Sequence, residues 1–133
     1  MLCQSIAIEW KQRDLLLILK FTKTNWKLIT LFLFLVITFL SLYPLPKLPE
    51  VPGTDKTLHL VAYFFLALPT GLKKPNNWIF FIFLFIIFGG VIEIIQPYFN
   101  RYCEWLDFFT NTMGVFFGFF VGFIFSNKSL TSY

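Results

Sequence analysis

The sequence predicts an all-α membrane protein. It expects four transmembrane helices in a compact bundle, both termini inside, and a short N-terminal interfacial segment. Three observations predict this class. First, the chain is 57% hydrophobic and only 14% charged, against about 45–50% apolar and about 25% charged in soluble domains. Second, the apolar residues, 20 Phe among them, gather into long runs separated by polar breaks. Third, these runs are apolar all round, without the alternation that marks a transmembrane β-strand. A bilayer demands that backbone hydrogen bonds close within the span, so the strand preference of Phe and Ile does not decide the matter. The composition excludes a soluble enzyme domain, a disordered chain and a disulfide scaffold, since Cys3 and Cys103 alone make no disulfide framework.

Residues 1–26 form a basic cytoplasmic segment. Its apolar patch LLLILKF is broken by Lys20 and no small-residue cleavage site follows the first span, which argues against a cleaved signal. Trp10, Leu15 to Leu19 and Phe21 suit an interfacial helix, and a loosely ordered tail is the plainer alternative. A four-span domain over 27–126 follows. The first span covers about 27–43, with Trp26 and Lys27 at its edge. Residues 44–53 carry Pro44, Pro46, Pro49 and Pro52 and read as an extended connector. The second span, about 55–72, is short. Thr54 is its candidate N-cap, and Asp55 suits the positive end of a helix dipole. Pro69 is expected to bend or frame its far end. The third and fourth spans, about 78–96 and 105–125, approach the roughly 20 residues that cross a hydrocarbon core. Residues 127–133 remain as a cytoplasmic tail.

Lysine and arginine set the orientation. With the N-terminus inside, 8 of the 11 basic residues fall on the inner side: Lys11, Arg13, Lys20, Lys23, Lys27, Lys73, Lys74 and Lys128. The net charge of +4 therefore reports topology. It does not mark a nucleic-acid surface, which needs a clustered basic face.

Polar groups inside spans are expensive, so each is a candidate site residue. Asp55, His59 and Tyr63 recur every four residues and share one face of the second span. Glu93 and Gln96 share a face of the third, Asp107 and Asn111 a face of the fourth, and Arg101 lies in the loop between those two spans. Their depths agree. His59 and Tyr63 sit about 6 and 12 Å beyond Asp55 at 1.5 Å per residue. Pro97 disfavours helix at Gln96, so Gln96 closes the third span with Glu93 one turn deeper. Asp107 opens the fourth span with Asn111 one turn deeper. One outer-leaflet level thus collects the polar set. Arg101, Lys56 or His59 is expected to pair with Glu93, whose burial without a partner would cost several kcal/mol. Below that level Gly114, Gly118 and Gly122 form a helix-packing stripe, with Gly89 and Gly90 of the third span as the expected matching groove.

These residues resemble a known family. Asp55-Lys56-x-x-His59-x-x-x-Tyr63 is similar to the DK-x-x-H-x-x-x-Y signature of VanZ-like membrane proteins. Glu93-x-x-Gln96, Arg101 and Asp107-x-x-x-Asn111-x-x-Gly114 resemble that family's second block. The likeness covers about 54–118 and keeps the order of the blocks. It implies a small four-helix protein of the bacterial cytoplasmic membrane, in a family whose founding member is associated with low-level resistance to teicoplanin, a lipid-bearing glycopeptide. It implies Asp55, Lys56, His59, Tyr63, Glu93, Gln96, Arg101, Asp107 and Asn111 as site residues without assigned roles.

Three function classes remain. A binding module would hold a lipid headgroup, a cell-wall precursor or a lipoglycopeptide. Arg101 and Lys56 would meet its phosphate or carboxylate, and Asn111 and Gln96 would supply neutral hydrogen bonds. An intramembrane enzyme acting on a lipid-linked substrate would use His59 as general base and Glu93 to orient it or act as acid, although no clear nucleophile is present. A transporter or complex subunit ranks last, because residues 79–88 and 115–125 offer no polar path inward. A polar network that only specifies packing is the plainer alternative to all three. No cofactor and no metal are expected. His59, Glu93 and Asp107 are the only set considered for one, and nothing in the sequence fixes their geometry. The expected partners are the bilayer and a lipid-linked or lipoglycopeptide ligand, with no nucleic acid. The oligomeric state is left open.

Overall fold

The computed structural model describes residues 2–43, 54–101 and 103–128, with side chains over 13–43, 55–101 and 103–127. The connector expected over 44–53, residues 129–133 of the tail, and the side chains of Cys3, Trp10, Lys11, Thr54 and Lys128 lie outside that description. The described residues are helical, with α1 Leu2–Thr24, α2 Trp26–Leu42, α3 Thr54–Lys73, α4 Trp78–Ile95 and α5 Trp105–Lys128, and a 3-10 turn at Gln96–Phe99.

The N-terminal segment is a helix, so of the two alternatives the loosely ordered tail is set aside. It meets α2 at an angle of 80°, measured between Arg13–Thr24 and Trp26–Leu42. Asn25 forms the joint. Its φ of -103° and ψ of 18° leave the helical region, and its side-chain amide donates to the Phe21 carbonyl at 3.1 Å. Thr24 serves the Lys20 carbonyl in the same way at 2.9 Å. Each side chain adds a second donor to a carbonyl of the last turns, that of Phe21 also accepting from the Asn25 backbone amide at 3.0 Å.

Among the described residues two helical stretches are long and apolar enough to cross a membrane, Trp78–Phe99 and Trp105–Asn127, and the bent α1–α2 pair is a third if counted as one span. Helix α3 is not among them, because Asp55, Lys56, His59 and Lys73 make it too polar over its length. It packs against α1, α2, α4 and α5, and Tyr63, Leu66, Ala67, Thr70 and Leu72 are buried along it. Of its charged or ionisable groups apart from Tyr63 only His59 is buried; Asp55 and Lys73 lie exposed at its two ends. Pro69 does not end it, because the helix runs on to Lys73. Lys74 then turns the chain with a positive φ of 47°.

The core joins Ile37 of α2, Tyr63, Leu66 and Ala67 of α3, Ile82 and Phe85 of α4, and Val115 of α5. Aromatic rings fill the flanks, with Phe34 against Phe88 at 3.8 Å between centroids and Trp78 stacked on Phe119 at 5.0 Å. The outward faces are equally apolar. Phe32 is 64% exposed, Phe83 61% and Phe109 62%. Apolar faces this extensive are foreign to a soluble monomer and suit hydrocarbon.

The tightest interface lies between α3 and α5. A Cβ at Gly118 would strike the Phe64 carbonyl oxygen, and one at Gly114 would lie 2.5 Å from that of Leu60. Gly122 and Gly71 repeat the contact further along. The stripe therefore packs helices as expected, but against a different helix. The groove is the α3 backbone, with Gly71 facing it from α3. Gly89 of α4 instead faces Tyr63 and Asn111, and Gly90 faces Phe108. Periodicity located the stripe and was silent on its partner.

Candidate functional site

The close approach of α3 and α5 aligns the first turns of both helices, where their polar residues lie. Helix α4 runs the other way and ends at this level, bringing Glu93 and Gln96. His59, Glu93, Gln96, Asp107 and Asn111 are all buried there.

Asn111 is the hub. Its amide nitrogen donates to Glu93 Oε1 at 3.1 Å. A carboxylate only accepts, so this contact orients the amide and turns Asn111 Oδ1 toward His59. His59 Nδ1 lies 3.0 Å from that oxygen and must donate to it, because a carbonyl oxygen carries no proton. The amide thereby selects the imidazole tautomer. In the neutral ring, Nε2 is left with its lone pair. It faces Asp55 Oδ1 and Asp107 Oδ2, each at 3.9 Å. Glu93 Oε1 stands 3.8 Å from Nδ1 on the ring's other side.

The two cations of the site are otherwise engaged. Arg101 Nη1 donates to the carbonyls of Leu40 at 3.2 Å and Ser41 at 3.4 Å, tying the loop before α5 to the end of α2. Its Nη2 approaches Asp55 Oδ1 at 3.8 Å. Lys56 pairs with Glu104 at 3.1 Å in an exposed position. Of the three partners expected for Glu93, only His59 comes near, and the hydrogen bond itself comes from Asn111. Asn100, with a positive φ of 59°, makes the turn that brings Arg101 round. Its amide and that of Arg101 close back on the Gln96–Pro97 carbonyls.

Tyr63 lies one turn below His59. It is buried beside Phe88 at 6.0 Å between centroids. Its hydroxyl has no hydrogen-bond partner among the described residues, and neither have Glu93 Oε2, Gln96 Nε2 and Asp107 Oδ1. Buried polar atoms are paired in the great majority of structures. Several orphans in one place therefore mark a region built for more than packing.

Asp55, His59, Glu93, Asp107 and Asn111 thus meet in one cluster. Arg101 touches its edge through Asp55, Lys56 stands on the rim, and Tyr63 and Gln96 border it. Sequence reasoning did not single out Glu104, the partner of Lys56, nor the carbonyls of Leu40 and Ser41. Glu104 lies before α5 begins, where no helical periodicity could place it opposite α3, and a backbone carbonyl carries no sequence signal. The sequence did mark Asp55 and Asp107 as polar-face residues, but not that both would aim at one imidazole nitrogen.

Comparison of the chain with family models, curated proteins and solved structures finds no match. The geometry of the cluster therefore carries the functional argument.

Proposed function

We propose that this chain is a VanZ-like protein of the bacterial cytoplasmic membrane. On this reading α2, α3, α4 and α5 are the four spans, α1 lies along the inner interface, and the polar cluster opens to the extracytoplasmic side. There it binds an envelope ligand: a lipid headgroup, a cell-wall precursor or a lipoglycopeptide. One observation carries the proposal. Three helices and a loop converge on a buried polar cluster with several unpaired atoms, at one end of a bundle whose sides are apolar. Packing alone does not require such a cluster, because apolar residues would fill the same space at lower cost. The rim carries both signs of charge, Lys56 and Arg101 beside Asp55 and Glu104. A ligand with an anionic group and an amine would find partners for both. The lysines near the opposite end, Lys23, Lys27, Lys73 and Lys74, agree with a cytoplasmic placement.

Two measurements test this reading. Cys103 is a free, exposed thiol beside the cluster. In a Cys3→Ser variant, a membrane-impermeant maleimide should label it in intact cells. Labelling only after lysis would reverse the orientation and remove the extracytoplasmic site. Mass spectrometry of lipids and wall precursors that co-purify with the chain should then find a species lost in Glu93→Ala and Arg101→Ala. Identical species in well-expressed variants would reject the binding site.

A second reading, an enzyme acting on a lipid-linked substrate, is favoured by the His59 tautomer. An imidazole held through Nδ1 with Nε2 unprotonated is arranged as a general base. The discriminating comparison is the lipid content of cells with and without the protein. A species formed or consumed only when His59 is intact would favour the enzyme over the binder.

A further inference from the structure

We infer that Asp55, His59 and Asp107 hold a divalent transition-metal ion. One ligand atom from each lies within 4.8 Å of the other two. The site is mixed, an imidazole nitrogen and two carboxylate oxygens, and it differs from the set considered from sequence, because Asp55 takes the place of Glu93. The argument rests on protons. The hydrogen bond from Nδ1 to Asn111 leaves Nε2 of the neutral ring as a lone pair, and the two atoms facing it at 3.9 Å are carboxylate oxygens. With the ring neutral, three atoms able to ligate a metal thus face one another, each carboxylate oxygen beyond hydrogen-bonding distance of Nε2. Arg101 Nη2 stands 3.8 Å from that same Asp55 Oδ1, beyond hydrogen-bonding distance, and Lys56 is engaged by Glu104.

A cation between these atoms would bind all three, and their spacing is close to what one needs. A metal bound at about 2.0–2.2 Å separates neighbouring ligand atoms by about 3.0–3.5 Å. The observed 3.9 Å is too long for a hydrogen bond. A contraction of about half an ångström brings each pair to the separation of two ligands on one ion. The exposed Asp55 side chain can supply its own share, and the buried His59 and Asp107 must close theirs by small side-chain rotations.

Two further observations point the same way, and neither is a count of acidic groups. Asp107 is 3% exposed, yet its Oδ1 has no partner. A second oxygen left open beside a ligating one suits bidentate coordination. The other observation is the support behind the imidazole. A metal-bound histidine characteristically donates its second N–H to a carbonyl or carboxylate that fixes its orientation. Asn111 takes that position, and Glu93 anchors Asn111. With three protein ligands the ion keeps open positions. Asp55 stands at the solvent side, so a phosphate or carboxylate can enter there. Nitrogen together with carboxylate oxygen favours Mn2+ or Zn2+ over Mg2+ or Ca2+. This site shares its residues with the cluster of the envelope-ligand reading, but its test needs no such ligand.

The test uses the full chain purified in detergent, stripped with chelator and titrated with Mn2+ or Zn2+. One ion per chain is expected by elemental analysis. Asp107→Asn and His59→Gln should each weaken binding at least tenfold, and Asn111→Ala by about 10–100-fold. Asp14→Asn, at an exposed acid on α1 outside the cluster, should leave binding unchanged. Asp55→Asn alters an exposed side chain and serves if a buried variant does not fold. Pulsed EPR of the Mn2+ form should show coupling to an imidazole nitrogen that disappears in His59→Gln. Equal binding in wild type, Asp107→Asn and Asp55→Asn, or a Mn2+ spectrum without nitrogen coupling, would overturn the site.

Discussion

The seam between α3 and α5 has two halves with opposite chemistry. Toward the start of both helices it is polar, with Asp55 and His59 facing Asp107 and Asn111. Further along it is lined by Gly114, Gly118 and Gly122 against the bare backbone of α3. Among the described residues the lower half buries no ionisable side chain, only Thr70 and Ser126, and the upper half contains no glycine of the stripe. Their difference shows a division of labour along one interface. Backbone contact in the glycine half permits no sliding or rotation without collision, so it fixes the register of α3 on α5. That register sets the 3.0 Å approach of His59 to Asn111. Polar groups buried at low dielectric gain most when they are held in place, and here packing several residues away holds them.

The largest expected effect comes from breaking the glycine half. Gly118→Val places a side chain into the Phe64 backbone, which cannot yield as a side-chain tip would. Overpacking of this kind costs about 3 kcal/mol or more when backbone must move. Thermal melting in detergent should show a large drop in Tm, and metal binding should fall with it. Gly90→Ala is the control, because its Cβ would meet Phe108 at an ordinary 3.4 Å, and its melt should stay within a degree or two of wild type. If Gly118→Val melts like Gly90→Ala, the glycine half does not set the register.

An intermediate effect should follow from breaking the polar half alone. Asn111→Leu removes both hydrogen bonds of the hub and leaves His59 Nδ1 and Glu93 Oε1 unpartnered. Each stranded buried group costs about 1–3 kcal/mol. A double-mutant cycle with Glu93→Leu should recover part of that loss, since removing both partners is gentler than stranding one. Strict additivity in the cycle would mean that the two side chains do not interact.

The smallest expected effect lies at the border between the halves. Tyr63→Phe removes a buried hydroxyl that has no partner among the described residues. Stability should change by less than about 1 kcal/mol and in the favourable direction, because an unsatisfied group is lost and the ring stays. If the hydroxyl serves a bound ligand, the variant will lose the co-purifying species without losing stability. That outcome would extend the polar half one turn deeper.

Much of this could be read from the chain. The four apolar runs coincide with α2, α3, α4 and α5 to within a few residues. Spacing of three and four residues placed His59 with Asp55, Asn111 with Asp107 and the glycines on one stripe, because helical periodicity is a property of the chain itself. Depth followed from counting residues from each helix start. Pairing did not follow in the same way. Nothing in the spacing of Gly114, Gly118 and Gly122 distinguishes the backbone of α3 from the glycines of α4. Arg101 and Lys56 were equal candidates for Glu93 until the loops placed them elsewhere.

By itself, the sequence determined that this protein is helical and apolar, and that its few polar residues lie at one level on three helix faces. The tertiary structure decided which faces meet. It set α3 rather than α4 against the glycine stripe, made Asn111 the link between His59 and Glu93, and turned Nε2 toward two carboxylates. The reason is geometric. A helical repeat fixes the angle of each side chain about its own axis, while contacts between helices depend on the rotation and offset of one axis against another, and those emerge only when all the surfaces are packed together.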